Sequence, residues 1–280
     1  MDINNRTEQA TMVHYWRIKL FPKATRDDIL KLYSFVQVVH SYTDQLNPDV
    51  QGFKQVRAKW KTAKKSLGMS EMREGDSSAD SAARGIAYVV HRYGIDPLLV
   101  DVFLDSIEMD LTHKPFENAQ DILEYTYGSS AVPALIIAKI VGLREEAYEL
   151  AVLQARAIQQ IHFILGMNQA MLLGRQYFPN DEIAQFGLKN LSEKEIARKP
   201  AEFREFIQFQ VTNYHHLQEE ADSLLKHIPK RLRTALRTAI DMYSWASKRI
   251  YDDPMILFKS GVRPSKQRLI GRGVVRSLYS

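Results

Sequence analysis

Cysteine is missing altogether from this 280-residue chain. Its absence removes disulfides, thiolate metal sites and cysteine nucleophiles from consideration. It fits a reducing compartment without proving one. Strand signals are also scarce, since no hairpin dipeptide stands between alternating apolar runs. No long hydrophobic run is present either. The longest, AVPALIIAKIV from Ala131 to Val141, is too short to cross a bilayer and carries Lys139. The opening MDINNRTEQATMVHYW has no basic stretch followed by an apolar one, so no secretory signal is read there. Together these absences lead to the expectation of a soluble, cytoplasmic protein.

What is present is ordinary in amount and uneven in placement. Hydrophobic residues make up 45% and charged residues 25%, enough for one large core or two small ones. The net charge of +5 concentrates in RAKWKTAKK (Arg57 to Lys65) and in the tail from Lys259 to Arg276. Such patches attract phosphates, anionic lipid or nucleic acid. The plainer reading is solvated helix faces. No nucleic-acid partner is expected, and the basic tail is kept as a candidate for peripheral membrane contact.

Apolar residues recur at three- and four-residue spacing, which predicts helices throughout. Thr25 is read as the cap of a helix through RDDILKLYSFVQVVHSYTDQL, with Asp27 and Asp28 complementing its dipole. Asn47-Pro48 closes that segment, and Gly94 and Pro97 flank the next start at DPLLVDVFLDSIEMDL. Pro115 opens a long helix that Pro133 is expected to kink. A second long helix runs from about Arg144 to Leu173, with Gly174 as its C-cap. Two more follow, Ala201 to His227 and Lys230 to Tyr251. The polar stretch 68–81 and residues 1–12 are expected to be flexible. The prediction is one all-α domain over residues 1–280, able to project side chains from several helices into a central cavity.

Several ordered blocks then resemble the squalene/phytoene synthase family. The opening YWRIKLFPKATRDDILKLYSFVQVVHSYTD carries Tyr15, Trp16, Leu20, Pro22, Arg26, Tyr33 and Phe35 at that family's intervals. YTYGSSAVPALIIAKIVG supplies Tyr125, Gly128, Ser129 and Ala131, nearest the phytoene-synthase branch. ARAIQQIHFILGMNQAMLLGRQYFPNDEIAQFG supplies Ala157, Gln159, Gly174, Arg175, Tyr177, Pro179, Phe186 and Gly187 without a gap. DDPMILFKSGVRPSKQRL, including Lys266, resembles the closing segment. The resemblance implies a class I isoprenoid-synthase-like helical bundle. It also implies head-to-head condensation of two isoprenyl diphosphates, with Mg²⁺ held by aspartate-rich motifs on facing helices. Mg²⁺ stabilises the departing diphosphate while the bundle keeps water from the carbocation.

This chain departs from the family at those motifs. Where D-D-x-x-D is expected it has His40, Ser41 and Asp44, and Gln37 replaces the preceding arginine. Where R-D-x-x-E-D is expected it has Leu165, Gly166, Gln169 and Ala170, with His162 in place of an asparagine. Three readings remain open. The chain is a non-catalytic member that binds an isoprenoid or prenyl diphosphate or serves as a scaffold with a protein partner. Alternatively it is an active prenyltransferase with altered use of Mg²⁺. In the third, His40, Asp44 and His162 form a different site suited to Zn²⁺; against it stands the reading of both histidines as hydrogen-bonded interior residues. Arg26 and Arg175 are candidate phosphate ligands. Tyr33, Tyr125, Gln159 and His162 are candidate cavity residues. For each of these six, packing or ion pairing competes with a binding role. Asp44 and His40 are read as the remnant of a metal site.

Overall fold

The computed structural model describes residues 23–66, 77–259 and 262. Helix α1 (Lys23–Thr43) buries Ile29, Leu32, Phe35 and Val39, a stripe at helical spacing. It is already helical at Lys23, so Thr25 lies inside it and its first turn holds no acidic residue. Buried Asp28 instead ties α1 to the third helix, accepting from Lys31 Nζ at 2.6 Å and from the Tyr93 hydroxyl at 2.9 Å.

Helix α2 (Val50–Lys65) starts where the Asp49 carboxylate accepts the Gly52 amide at 2.8 Å. It buries Phe53, Val56, Trp60 and Ala63. Helix α3 (Ser78–Arg92) starts at Ser77, whose hydroxyl accepts the Asp80 amide. The expected flexible stretch 68–81 therefore ends earlier than its polar composition suggested, because a Ser cap turns that composition into a helix start; residues 67–76 lie outside those described. Helix α4 (Leu98–Met109) follows Pro97. The basic residues of α2 meet acids from α3 and α4: Arg57 with Asp105 and Glu108, Lys59 with Asp80, Lys64 with Asp101. Three of the five basic residues of that stretch are thus paired within the fold.

Helix α5 (Ala119–Thr126) begins at Asn118, in a reciprocal capping box with Asp121, not at Pro115. The break that follows is a π turn over Tyr127–Ala131, in which the Val132 amide reaches back to the Tyr127 carbonyl. Pro133 sits in the first turn of helix α6 (Val132–Ile140), so the interruption lies upstream of the proline that was expected to make it. A Cβ on Gly128 would stand 1.9 Å from the Ser106 Oγ. The π turn therefore packs its bare backbone directly on α4.

Helix α7 (Tyr148–Leu172) is the longest, 25 residues and about 38 Å. It ends at Gly174, whose φ of +72° is the left-handed conformation a glycine C-cap supplies. Short helices α8 (Asn180–Gln185) and α9 (Glu193–Arg198) lead to α10 (Pro200–Ala221), which lies along α7. The helix expected over Ala201–His227 is broken after α10, and α11 (Leu224–His227) is a separate turn. Helix α12 (Lys230–Asp252) closes the bundle. Two main apolar clusters result. One joins α1 to α4 and α6 around Phe35, Trp60 and Phe103. The other joins α5, α7 and α10 around Ile161, Phe203 and Tyr214. No helix among the described residues is long and apolar enough to cross a membrane.

Candidate functional site

Between these clusters the bundle encloses a cavity of about 1170 Å³. α1 contributes Tyr33, Val36, Gln37, His40, Ser41 and Asp44, and α7 contributes Ile158, Gln159, His162, Gly166, Gln169 and Ala170. In both, the three- and four-residue steps keep one stripe on one face. α6 adds Pro133 and Ile137, while Leu224, Ile228, Leu232 and Leu236 close an apolar end. A second cavity of about 190 Å³ borders His40, Asp44, Asp110, Tyr125, Gln159, His162, Gly166, Ala170 and Tyr177.

The charged groups at this junction pair with one another, while the Arg175 Nε is buried without a partner. Arg175 Nη1 donates to Asp44 Oδ1 at 2.8 Å and to the Tyr177 hydroxyl at 3.3 Å, and Nη2 donates to the Thr43 carbonyl. His40 Nδ1 lies 3.6 Å from Asp44 Oδ2. Asp110 accepts the Tyr177 hydroxyl on Oδ1 and the Tyr125 hydroxyl on Oδ2, each at 3.0 Å, and lies 3.9 Å from Arg175. The rings of Tyr177 and Phe163 stack at 4.8 Å and hold the hydroxyl in place. His162 Nε2 meets the Tyr243 hydroxyl at 2.7 Å, tying α7 to α12.

This arrangement sets the protonation of the site. Burial opposes ionisation of Asp44, but the hydrogen bond and charge of His40, then Arg175, hold its carboxyl down at about 2. Burial lowers the His40 pKa and the contact with Asp44 outweighs it, leaving His40 above its ordinary value. Asp110 is pushed up by burial, against the pull of Arg175 and His40. Burial also raises the Tyr125 and Tyr177 hydroxyls, so both stay protonated as donors.

Both carboxylates that border the junction thus have both oxygens facing donors of the chain. Mg²⁺ demands near-octahedral oxygen ligands and is held through free carboxylates and substrate phosphates. This donor set does not fit it. On α7, the positions where carboxylates were expected hold Gly166, Gln169 and Ala170, of which only the neutral Gln169 carries a side-chain oxygen. No cluster of three His, Asp or Glu residues able to hold a metal occurs among the described residues. His40, Asp44 and His162 border the same small cavity, where His40 pairs with Asp44 and His162 bonds Tyr243.

Seven of the eight residues singled out from sequence border these cavities. Tyr33, His40, Asp44, Gln159, His162 and Arg175 line the larger one, and Tyr125 the smaller. Arg26 does not. It lies in the first turn of α1, beside Asp27 at 3.8 Å and away from the cavity lining, because the helix starts three residues before it. Three residues of the junction were missed. Asp110 sits in a stretch that matched no block of the family. Tyr177 stood inside the matched Gly-Arg-x-Tyr run and was legible there. Tyr243 lies in no matched block, and its hydroxyl carries the contact with His162.

The long helices, the π turn and a cavity lined from opposite sides define an α-helical bundle of the isoprenoid-synthase type. The model of the squalene/phytoene synthase family matches residues 9–269, and the chain belongs to that family. The phytoene synthase of Pseudescherichia vulneris is 24% identical over 233 residues, covering 80% of this chain and 74% of that protein. The 15-cis-phytoene synthase of Enterobacter agglomerans is 24% identical over 232 residues, covering 80% and 77%. The structure of a dehydrosqualene synthase in complex with ligand superposes with a TM-score of 0.81 at 16% identity, covering 98% of this chain and 94% of that one. That likeness concerns the fold.

Proposed function

We propose that this chain binds an isoprenoid in its central cavity without the Mg²⁺-dependent prenyl transfer implied by its family resemblance. The observation that carries the reading is the Arg175–Asp44–His40 arrangement, which spends the surviving carboxylate on the chain's own cations. A free carboxylate would be needed to hold a metal against a diphosphate. The cavity volume supports the ligand class. At about 1170 Å³ it exceeds the usual small-molecule range of roughly 300–1,000 Å³, as a long apolar chain requires.

The test is incubation of the purified chain with farnesyl or geranylgeranyl diphosphate and Mg²⁺ or Mn²⁺. The expected result is saturable isoprenoid binding and no release of pyrophosphate. Metal-dependent release that disappears in Asp44→Ala overturns the reading. It would favour the competing one, head-to-head prenyl transfer, which draws its support from the two phytoene synthases. Basic-tail contact with membranes concerns Lys259 to Arg276, of which only Lys259, paired with Asp253 at 3.3 Å, and Val262 are among the described residues.

A further inference from the structure

The polar residues lining the cavity fall into two groups. The charged ones are paired with each other. Among the described lining residues Arg175 is the sole Lys or Arg; its Nη atoms are bonded to Asp44, Tyr177 and the Thr43 carbonyl, and its Nε is buried without a partner. The uncharged group includes Gln159 and Gln169, which face the cavity with no side-chain hydrogen bond among the described residues. Ser129, on the π turn in the same wall, has a hydroxyl oxygen buried without a partner. Between the two glutamines lies Gly166, where an added Cβ would meet nothing within 4 Å. Gly166 and Ala170 border both cavities, so the junction holds open space beside Gln159, His40 and Asp44.

We infer that the cavity takes an isoprenoid with an uncharged, hydrogen-bonding head group, an alcohol or a carbonyl, seated against Gly166. The inference rests on the isoprenoid-binding reading and specifies the head that such a ligand carries. A diphosphate would bring several negative charges beside the ionised Asp44, with Arg175 the sole lysine or arginine among the described lining residues and both its Nη atoms already bonded, and with Asp44 and Asp110 both engaged by donors of the chain. Moving an unpaired charge out of water costs far more than moving a hydroxyl that regains a hydrogen bond. Glutamine amides provide both a donor and an acceptor, which suits a hydroxyl or a carbonyl equally. The partly buried amides of Gln159 and Gln169 stay available to a ligand head, and the buried Ser129 hydroxyl is a group whose unmade hydrogen bond a ligand head can supply.

The experiment compares farnesol with farnesyl diphosphate by isothermal titration calorimetry, with and without Mg²⁺. Farnesol is expected to bind about tenfold more tightly or better, with Mg²⁺ leaving the ratio unchanged. Gly166→Leu is the structural control. It fills open space at a helical position that a glycine disfavours, so the fold is expected to survive with an unchanged or higher melting temperature while farnesol binding is lost. Diphosphate binding as tight as farnesol or tighter, or tightened by Mg²⁺, overturns the head-group inference and leaves isoprenoid binding standing. Undiminished farnesol binding in Gly166→Leu overturns the placement. Failure of both ligands to bind overturns the isoprenoid reading, and this inference with it.

Discussion

Between α7 and α10, Gln154 and Gln218 exchange two hydrogen bonds of 2.9 and 3.1 Å, and Gln160 donates to Gln210 at 2.6 Å; Gln154 also borders the cavity. Elsewhere on the cavity lining of the same helix, Gln159 and Gln169 have no such partner among the described residues. One side chain type is therefore found in two conditions, bridging to α10 and facing the cavity alone. Buried amides are normally satisfied, because an unmade hydrogen bond leaves the full desolvation cost of the group. The α10 face obeys that rule with groups of its own chain, and so is complete as it stands. On the cavity face Gln159 and Gln169 are only partly buried, so their amides stay open to solvent or to a ligand. The charged groups at the cavity junction lie between the two kinds, since Arg175, Asp44, His40 and Asp110 pair with one another while the Arg175 Nε is buried without a partner.

The contrast can be broken by substitution, and the largest effect is expected at the charged junction. Arg175→Leu leaves Asp110 buried without its cation, and a broken buried pair costs about 3 kcal/mol or more. Chemical denaturation measures that loss, and an unchanged midpoint would place the arginine outside the structural network. On the paired face, Gln154→Leu strands the Gln218 amide and is expected to cost about 1–3 kcal/mol. Adding Gln218→Leu is expected to recover most of it. Gln159→Leu, on the cavity face, is expected to stay within about 0.5 kcal/mol of the parent. Equal losses at 154 and 159 would erase the distinction between the faces. Gly166→Ala is expected to stabilise by about 0.5–1 kcal/mol, since the new methyl meets open space inside a helix.

The smallest expected effect depends on pH. The depressed Asp44 carboxyl contributes stability above its ordinary pKa of 3.8 that is lost as pH falls toward about 2. The raised His40 contributes stability below 6.5 that is lost as pH climbs through its folded value. Their joint contribution is therefore whole between those limits. The melting-temperature difference between the parent and His40→Gln is expected to be largest near pH 5 to 6, from these directions, and to shrink on both sides. A difference that keeps growing above pH 8 would contradict the pairing.

Much of this was legible in the amino-acid order, and the reasons differ from place to place. The stripes of α1 and α7 follow from apolar spacing, and the block around Gly174 and Arg175 carried both the helix stop and the cavity arginine. The metal-site departures at His40, Gly166 and Ala170 could be read directly, because a missing carboxylate is visible without a fold. The ion pairs that Asp44 makes were not legible. That Arg175 crosses 131 positions to reach Asp44 is a tertiary contact with no local signature. Asp110 was invisible for the same reason, its role resting on hydroxyls from two distant tyrosines. Local errors had local causes. Thr25 and Pro115 are plausible helix starts overruled by neighbours, and the π turn at Tyr127–Ala131 replaced the kink expected at Pro133, because Gly128 lets the backbone close on Ser106.

The central claim is that the remnant metal site is occupied by the chain's own arginine. Anomalous diffraction from a crystal soaked in Mn²⁺ together with a prenyl diphosphate tests it most directly. The account expects no metal peak within coordinating distance of Asp44, with Arg175 still bonded to that carboxylate. A peak bridging Asp44 and the diphosphate, with Arg175 turned away, would contradict it.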